Sequence, residues 1–141
     1  MKIVVLAVGK LRDKRVEALC DEYLGRVRRH LPVEILEVDD DAALARRLPS
    51  AGEIIALEAG GDAWTTSAFA AHVEQRMTRG TRQLTFLIGG ADGLAPEVKS
   101  AADMTLSLGP MTWPHLLVRG LLAEQIYRAQ QILLGHPYHR A

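Results

Sequence analysis

The stretch LTFLIGGADG, residues 84–93, sets an apolar β-strand directly against a glycine-rich turn. Leu84–Ile88 is apolar or β-branched throughout, which is typical of a strand buried on both faces of a parallel sheet. The adjacent glycines Gly89 and Gly90 have no Cβ, so their backbone can approach a ligand closely. Because ligands of open parallel sheets bind beyond the carboxyl ends of the strands, this turn is a candidate binding loop.

The rest of the chain alternates strands with helices. Four further strands are predicted at Lys2–Val8, Val33–Val38, Glu53–Glu58 and Met104–Leu108. The helices are predicted around Val16–Val27, from Asp39–Asp41 to just before Pro49, from a Ser67 cap to Gly80, at Pro96–Ala102 and from Pro114 onward. Five strands with interleaved helices predict an α/β fold with a mostly parallel sheet. Residues 1–141 are expected to form one domain, as this length suggests.

Three glycine-containing loops follow the later strands: EAGGD after the third, GGADG after the fourth and GPMTWPH after the fifth. A glycine pair alone is more often a tight turn than a ligand site, but three irregular loops at one sheet edge are stronger evidence. The first strand is not followed by G-x-G-x-x-G, and the sequence contains no P-loop, CxxC or HExxH motif. A small molecule is therefore expected at the later strands, and no metal is expected.

The composition limits the partners and the compartment. Seventeen basic residues balance 17 acidic ones and the pI is about 7.0, which argues against a protein held to nucleic acid by bulk charge. A local basic patch is still allowed. Cys20 is the only cysteine and lies on an apolar helix stripe, so it is expected in the core of a protein in a reducing compartment. No apolar run approaches a membrane span, and a cytoplasmic protein without a membrane partner is predicted.

Several charged groups have two interpretations. Asp39–Asp41 are more simply charges at a helix N-terminus than ligands of one metal ion. Glu124 and Arg128 stand four apart and predict an ion pair on the last helix, where His115 and Arg119 add polar groups suited to a subunit contact. The first helix has a basic face that is either solvated or a phosphate contact. This face consists of Arg12, Lys14, Arg15, Arg26, Arg28 and Arg29.

Four segments together carry a specific resemblance. They are VGKLRD at 8–13, FLIGGADGL at 86–94, TWPHLLVRGLLAEQIYRA at 112–129 and HPYHR at 136–140. In this combination the whole chain resembles the ribosomal RNA large subunit methyltransferase H family of the SPOUT superfamily. The resemblance implies a SPOUT-type α/β knot, in which a C-terminal trefoil knot closes a mostly parallel sheet of five or six strands flanked by helices.

The resemblance also implies S-adenosylmethionine as the cofactor, bound in a bent conformation. The family's cofactor positions fall on Leu57, Gly90, Leu108, Gly109, Pro110, Met111, Thr112 and Trp113, and Gly89 would shape the turn. The chain has Met111-Thr112-Trp113 where the family often has L-T-L. Trp113 would pack over the cofactor or at a subunit contact. Gly120 replaces a bulkier residue and is expected to loosen its helix by about 1 kcal/mol relative to alanine.

The reaction implied is methylation at N3 of pseudouridine 1915 in 23S rRNA, by a homodimer acting on the assembled 70S ribosome. The tail of one subunit would lie over its partner's cofactor pocket. Tyr138 would then stack on the target base, Arg140 would bind phosphate or O4, and His139 or Glu124 would be the base, oriented by Arg128. His136 is expected to be structural. The alternatives are a tail that is merely docked, another RNA target, or a non-catalytic ribosome-binding module.

Overall fold

Ten elements alternate along the chain in the computed structural model, which describes residues 1–140. The strands are β1 Lys2–Val8, β2 Val33–Val38, β3 Glu53–Ala63, β4 Gln83–Ile88 and β5 Met104–Ser107. The helices are α1 Lys14–Val27, α2 Asp41–Arg46, α3 Thr66–Thr78, α4 Pro96–Ala101 and α5 His115–Leu133. The strands form one sheet in the order β2-β1-β4-β3-β5, and each pairing between them is parallel. The predicted α/β class is confirmed.

The sheet separates two apolar layers. Alternate strand residues such as Val5 and Phe86 pack beneath α1, α3 and α5, whereas Leu6 and Leu87 pack beneath α2 and α4. This alternation follows from the two-residue period of a strand. Cys20 is buried in α1 as predicted, and burial raises the pKa of its thiol. No helix within residues 1–140 is long and apolar enough to cross a membrane.

The helix starts confirm one prediction and correct another. Asp40 caps α2 by accepting the Ala43 N–H at 2.8 Å, so the aspartate run is helix N-terminal charge. The cap of α3 is Thr65, whose hydroxyl accepts the Ala68 N–H at 3.1 Å. The prediction of Ser67 was wrong because Thr65 still has an extended backbone, whereas Ser67 already lies inside the helix.

The EAGGD segment is part of β3 and not the turn that the sequence predicted. Both Leu57 and Asp62 are opposite Leu106 of β5, so the residues between them form a bulge and the strand then resumes. A Cβ on Gly61 would lie 2.8 Å from the carbonyl carbon of Thr105. Glycine is therefore needed here for close strand approach, and the long-range pairing with β5 extends β3 to Ala63.

The structure gives two residues of α5 contacts that the sequence did not indicate. A Cβ on Gly120 would lie 2.8 Å from Leu19 Cδ2, so this glycine leaves room for a side chain of α1. Arg119 does not face outward toward a subunit contact, since it is only 2% exposed. Its guanidinium is directed to the carboxyl ends of β1 and β2, where it contacts Glu37.

Candidate functional site

The sheet order places the three glycine-containing segments side by side, because β4, β3 and β5 are adjacent. Their carboxyl ends enclose a cavity of about 390 Å³, within the range of small-molecule sites. Seven of the eight predicted cofactor residues line it, namely Leu57, Gly90, Leu108, Gly109, Met111, Thr112 and Trp113. Pro110 belongs to the same loop but does not line the cavity.

Hydrogen bonds of the main chain fix the turns around this cavity. The turn after β4 is closed by a 3.0 Å hydrogen bond from Gly93 N–H to the Gly90 carbonyl. The Ser107 hydroxyl lies 3.0 Å from the carbonyls of Ala59 and Gly109 and so joins the segments that follow β3 and β5. Gly109 has φ +119°, a conformation that favours glycine. These glycine-containing turns leave backbone N–H and C=O groups close to the cavity without a Cβ in the way.

Two polar side chains of the cavity were not assigned from the sequence. Glu58 lines it at the start of the β3 bulge and pairs with Lys99 at 3.1 Å. Its carboxylate can accept hydrogen bonds from ligand hydroxyl or ammonium groups. His115, the first residue of α5, also lines it. Glu58 is the first residue of EAGGD and His115 the last of GPMTWPH, and this position within the glycine-containing segments is the signal that could have identified them.

A second cavity of about 430 Å³ adjoins the first. Leu106, Leu108, Gly109 and Trp113 line both cavities. The second cavity extends between α1 and α5 to Glu124, the residue that links it to the tail. Trp113 is 41% exposed and lies at the junction of the two cavities, so a partner or ligand in either one can contact its indole.

The segment that follows α5 folds back onto this helix through Tyr138. Its hydroxyl donates to Glu124 Oε1 at 3.2 Å, and its ring meets the Tyr127 ring edge-on at 4.8 Å. The Arg128 guanidinium lies 4.7 Å from the Tyr138 ring centre. Burial, followed by hydrogen bonds with Tyr23 and Glu124, raises the pKa of Tyr138 to about 12.

Glu124 and Arg128 form the predicted ion pair, at 2.6 Å. The Glu124 carboxylate also accepts a hydrogen bond from Gln125 at 3.0 Å. Arg128 in turn lies 3.3 Å from His139 Nδ1. A guanidinium can only donate, so Nδ1 must accept and the His139 proton is assigned to Nε2. The hydrogen bond to Glu124 raises the pKa of Arg128.

Four of the five predicted catalytic residues therefore form one network, which we call the tail cluster: Glu124, Arg128, Tyr138 and His139. The fifth, Arg140, is exposed. No member of the tail cluster lines the cavity at the ends of β3, β4 and β5, although Glu124 lines the adjoining one. No group of three or more His, Cys, Asp or Glu side chains within residues 1–140 could hold a metal ion.

Solved structures define the class of this fold. A probable methyltransferase from Bordetella pertussis aligns over 91% of this chain and 95% of its own, with a TM-score of 0.62 at 10% identity. The SpoU methyltransferase AviRb from Streptomyces viridochromogenes, solved with AdoMet, aligns over 93% of this chain and 58% of its own, with a TM-score of 0.54 at 15% identity. The architecture is thus that of the SpoU and SPOUT methyltransferases.

Sequence comparison then gives the family. Residues 1–139 match the family model described as a predicted SPOUT methyltransferase. Ribosomal RNA large subunit methyltransferase H of Sorangium cellulosum is 47% identical over 98% of this chain and 99% of its own. The protein of that name from Rhodospirillum centenum is 43% identical over the full length of both. The chain belongs to the ribosomal RNA large subunit methyltransferase H family and is an S-adenosylmethionine-dependent methyltransferase.

Proposed function

We propose that this enzyme methylates N3 of a pseudouridine in 23S rRNA on the assembled ribosome. The observation that carries this proposal is the glycine-lined cavity at the ends of β3, β4 and β5, in a chain 43–47% identical to rRNA methyltransferases along its whole length. In this proposal residues 1–141 act as one domain with a C-terminal trefoil knot. A cytoplasmic location follows from the ribosomal substrate.

The residues of the cavity fit S-adenosylmethionine. Backbone groups of the loops containing Gly90 and Gly109 would hold the adenine, and Glu58 would accept hydrogen bonds from the ribose or the ammonium group. Leu57, Leu108, Met111 and Trp113 supply apolar walls. When bound, the cofactor supplies an electrophilic methyl group on a sulfonium. The task of the protein is to hold N3 of the target base against that methyl group and accept the N3 proton.

Of the two candidate bases, the contacts favour Glu124. His139 already uses its Nδ1 lone pair to accept from Arg128, which leaves a donor at Nε2 that suits a carbonyl of the target base. Glu124 Oε1 accepts hydrogen bonds from Tyr138 and Arg128, so a Tyr138 that moves to stack on the incoming base would free one acceptor position on this oxygen. Arg128 would keep Glu124 oriented.

The tail cluster would act in a homodimer. In one subunit it lies apart from the cofactor cavity, so a partner's tail placed over that cavity would complete the site. Arg140, which is exposed, would contact a phosphate or O4 of the target nucleotide. The other candidate functions are methylation of a different RNA and ribosome binding without catalysis, and they predict different labelling patterns.

The test is transfer of a tritiated methyl group from S-adenosylmethionine to intact 70S ribosomes, separated subunits and free 23S rRNA. We expect labelling of 70S ribosomes only. Arg140→Ala should abolish transfer while cofactor binding survives, and the exposed Arg79→Ala serves as the matched control. Labelling of free rRNA would contradict the requirement for the ribosome, and cofactor binding without any labelling would favour a binding module.

A further inference from the structure

Arg119 is a buried charge that the proposed reaction does not use. Its guanidinium donates to the Gly9 carbonyl at 2.6 Å, to the Val8 carbonyl at 3.2 Å and to Glu37 Oε2. With 2% exposure it is among the largest fully buried side chains of the protein. Burial of a charge is unfavourable unless the charge is paired and hydrogen-bonded, and these acceptors at the end of β1 supply the pairing and the hydrogen bonds that Arg119 needs.

Those contacts fix the segment that follows β1. The Glu37 oxygen that meets Arg119 also accepts the Leu11 N–H at 2.7 Å. In addition, the Gly9 N–H donates to the Val38 carbonyl at 2.7 Å. Two N–H groups and two carbonyls of residues 8–11 are thus held by hydrogen bonds from β2 and α5. We call Arg119 and Glu37 the β1 clamp.

The clamped segment displays positive charge. Lys10, Arg12 and Lys14 are all exposed. Among residues 1–140, no carboxylate lies within ion-pair distance of any of the three. Arg15, the next cation, is in contrast paired with Asp13 at 3.0 Å. We call Lys10, Arg12 and Lys14 the basic loop, although Lys14 is formally the first residue of α1.

The basic loop follows β1, the strand next to the one that leads into the Gly90 turn of the cavity. Ala7 of β1 pairs with Ile88 of β4, so the basic loop and the Gly90 turn leave the sheet from neighbouring strands. A Cβ on Gly90 would lie 3.4 Å from Cγ1 of Val8, which ends β1 two residues before Lys10. On the other side, β2 leads into Asp39–Asp41, whose negative charge would repel a polyanion. The basic loop therefore has acidic residues on its β2 side and the Gly90 turn on its β4 side.

We propose that the basic loop binds backbone phosphates of the substrate RNA next to the target nucleotide, and that the β1 clamp is its positioning device. The proposal rests on the proposed function, since it takes the substrate to be an RNA. Phosphate contacts fix the register of a nucleic acid without reading its sequence. A rigid loop next to the cavity would hold the target base within reach of the cofactor. A local group of three cations, unpaired within residues 1–140, would also let a chain of zero formal net charge bind RNA.

The first experiment compares Lys10→Ala, Arg12→Ala and Lys14→Ala with Arg47→Ala and Arg79→Ala, exposed cations on other surfaces. Each basic-loop variant should raise KM for 70S ribosomes roughly two- to fivefold, as expected for an exposed ion pair. The slope of log affinity against log salt should also fall by about 0.7–0.9 per lost phosphate contact. The kcat value and the Kd for S-adenosylmethionine should not change. Loop variants that behave like the two controls would overturn the proposal.

The second experiment tests the β1 clamp through a double-mutant cycle. Glu37→Gln keeps the shape of the side chain but removes the negative charge that pairs with Arg119. This variant should have a higher KM for ribosomes and an unchanged Kd for S-adenosylmethionine. If Glu37 acts through the basic loop, Lys10→Ala should have a smaller effect on KM in the Glu37→Gln background. Fully additive effects would mean that the clamp is only structural. If the wild-type protein methylates no ribosomal substrate, the proposed function and this inference both fail. If the wild type labels ribosomes and the basic-loop variants have the same KM as the wild type, this inference alone fails.

Discussion

Gly89→Ala should destabilise the turn that lines the proposed cofactor cavity. A Cβ at Gly89 would lie 2.5 Å from the Gly93 carbonyl carbon and 2.7 Å from Leu94 N. The shorter distance is about 0.9 Å inside the 3.4 Å at which ordinary contact begins. These are backbone atoms, so no side chain can rotate away and the turn itself must open. Overpacking of this kind costs about 1–3 kcal/mol, which corresponds to a fall in Tm of roughly 3–10 °C.

The neighbouring glycine provides the control. A Cβ at Gly90 would meet only the Val8 side chain, 3.4 Å from Cγ1 and 4.0 Å from Cβ, which are ordinary contacts. Neither glycine has a positive φ, so alanine carries no backbone penalty at either position. Thermal denaturation should show a lower Tm for Gly89→Ala and a Tm close to wild type for Gly90→Ala. Calorimetry should show weakened cofactor binding for Gly89→Ala. A Gly89→Ala protein with wild-type Tm and affinity would refute this description of the turn.

Three further predictions concern the tail, α1 and the cofactor. The pKa of Tyr138 is raised to about 12 from 10, so the neutral hydroxyl contributes fully to the free energy of unfolding below pH 10, and this contribution is lost as pH rises through 12. Ultraviolet titration should show a late phenolate transition that Tyr138→Phe removes. Gly25 lies at an exposed position of α1, and a Cβ added there would have no atom within 4 Å. Gly25→Ala should therefore raise the free energy of unfolding, measured by urea denaturation, by about 0.5–1 kcal/mol. An unchanged urea midpoint would contradict this prediction. Glu58→Gln should weaken S-adenosylmethionine binding about tenfold by calorimetry, whereas Lys99→Ala keeps the carboxylate and serves as control; equal losses would exclude a direct contact from Glu58.

Local pattern was sufficient for most elements of the fold. Apolar runs such as Leu84–Ile88 have few alternatives to a buried strand, and the i, i+3, i+4 stripe of α1 identifies its buried face, with Cys20 on it. Glu124 and Arg128 also pair as their spacing indicates. The resemblance supplied the cofactor loops, seven of whose eight residues line one cavity.

Long-range pairing accounts for what the sequence could not show. The three glycine-containing segments meet because β3 lies between β4 and β5 in the sheet. Strand order cannot be inferred from any local sequence pattern. The bulge between Leu57 and Asp62 exists only because β5 pairs on both sides of it. Arg119 resembles an ordinary polar helix residue in the sequence, since its acceptors at Val8, Gly9 and Glu37 are 82–111 positions away.

The most direct test of the central claim identifies the methylated atom. Intact 70S ribosomes would be incubated with the enzyme and S-adenosylmethionine, after which the 23S rRNA would be digested to nucleosides and analysed by chromatography and mass spectrometry. Pseudouridine offers two ring nitrogens, and reference nucleosides methylated at N1 and at N3 can be separated. We predict a single new nucleoside, 3-methylpseudouridine. A methyl group on N1, on a ribose oxygen or on another base would contradict the proposed reaction.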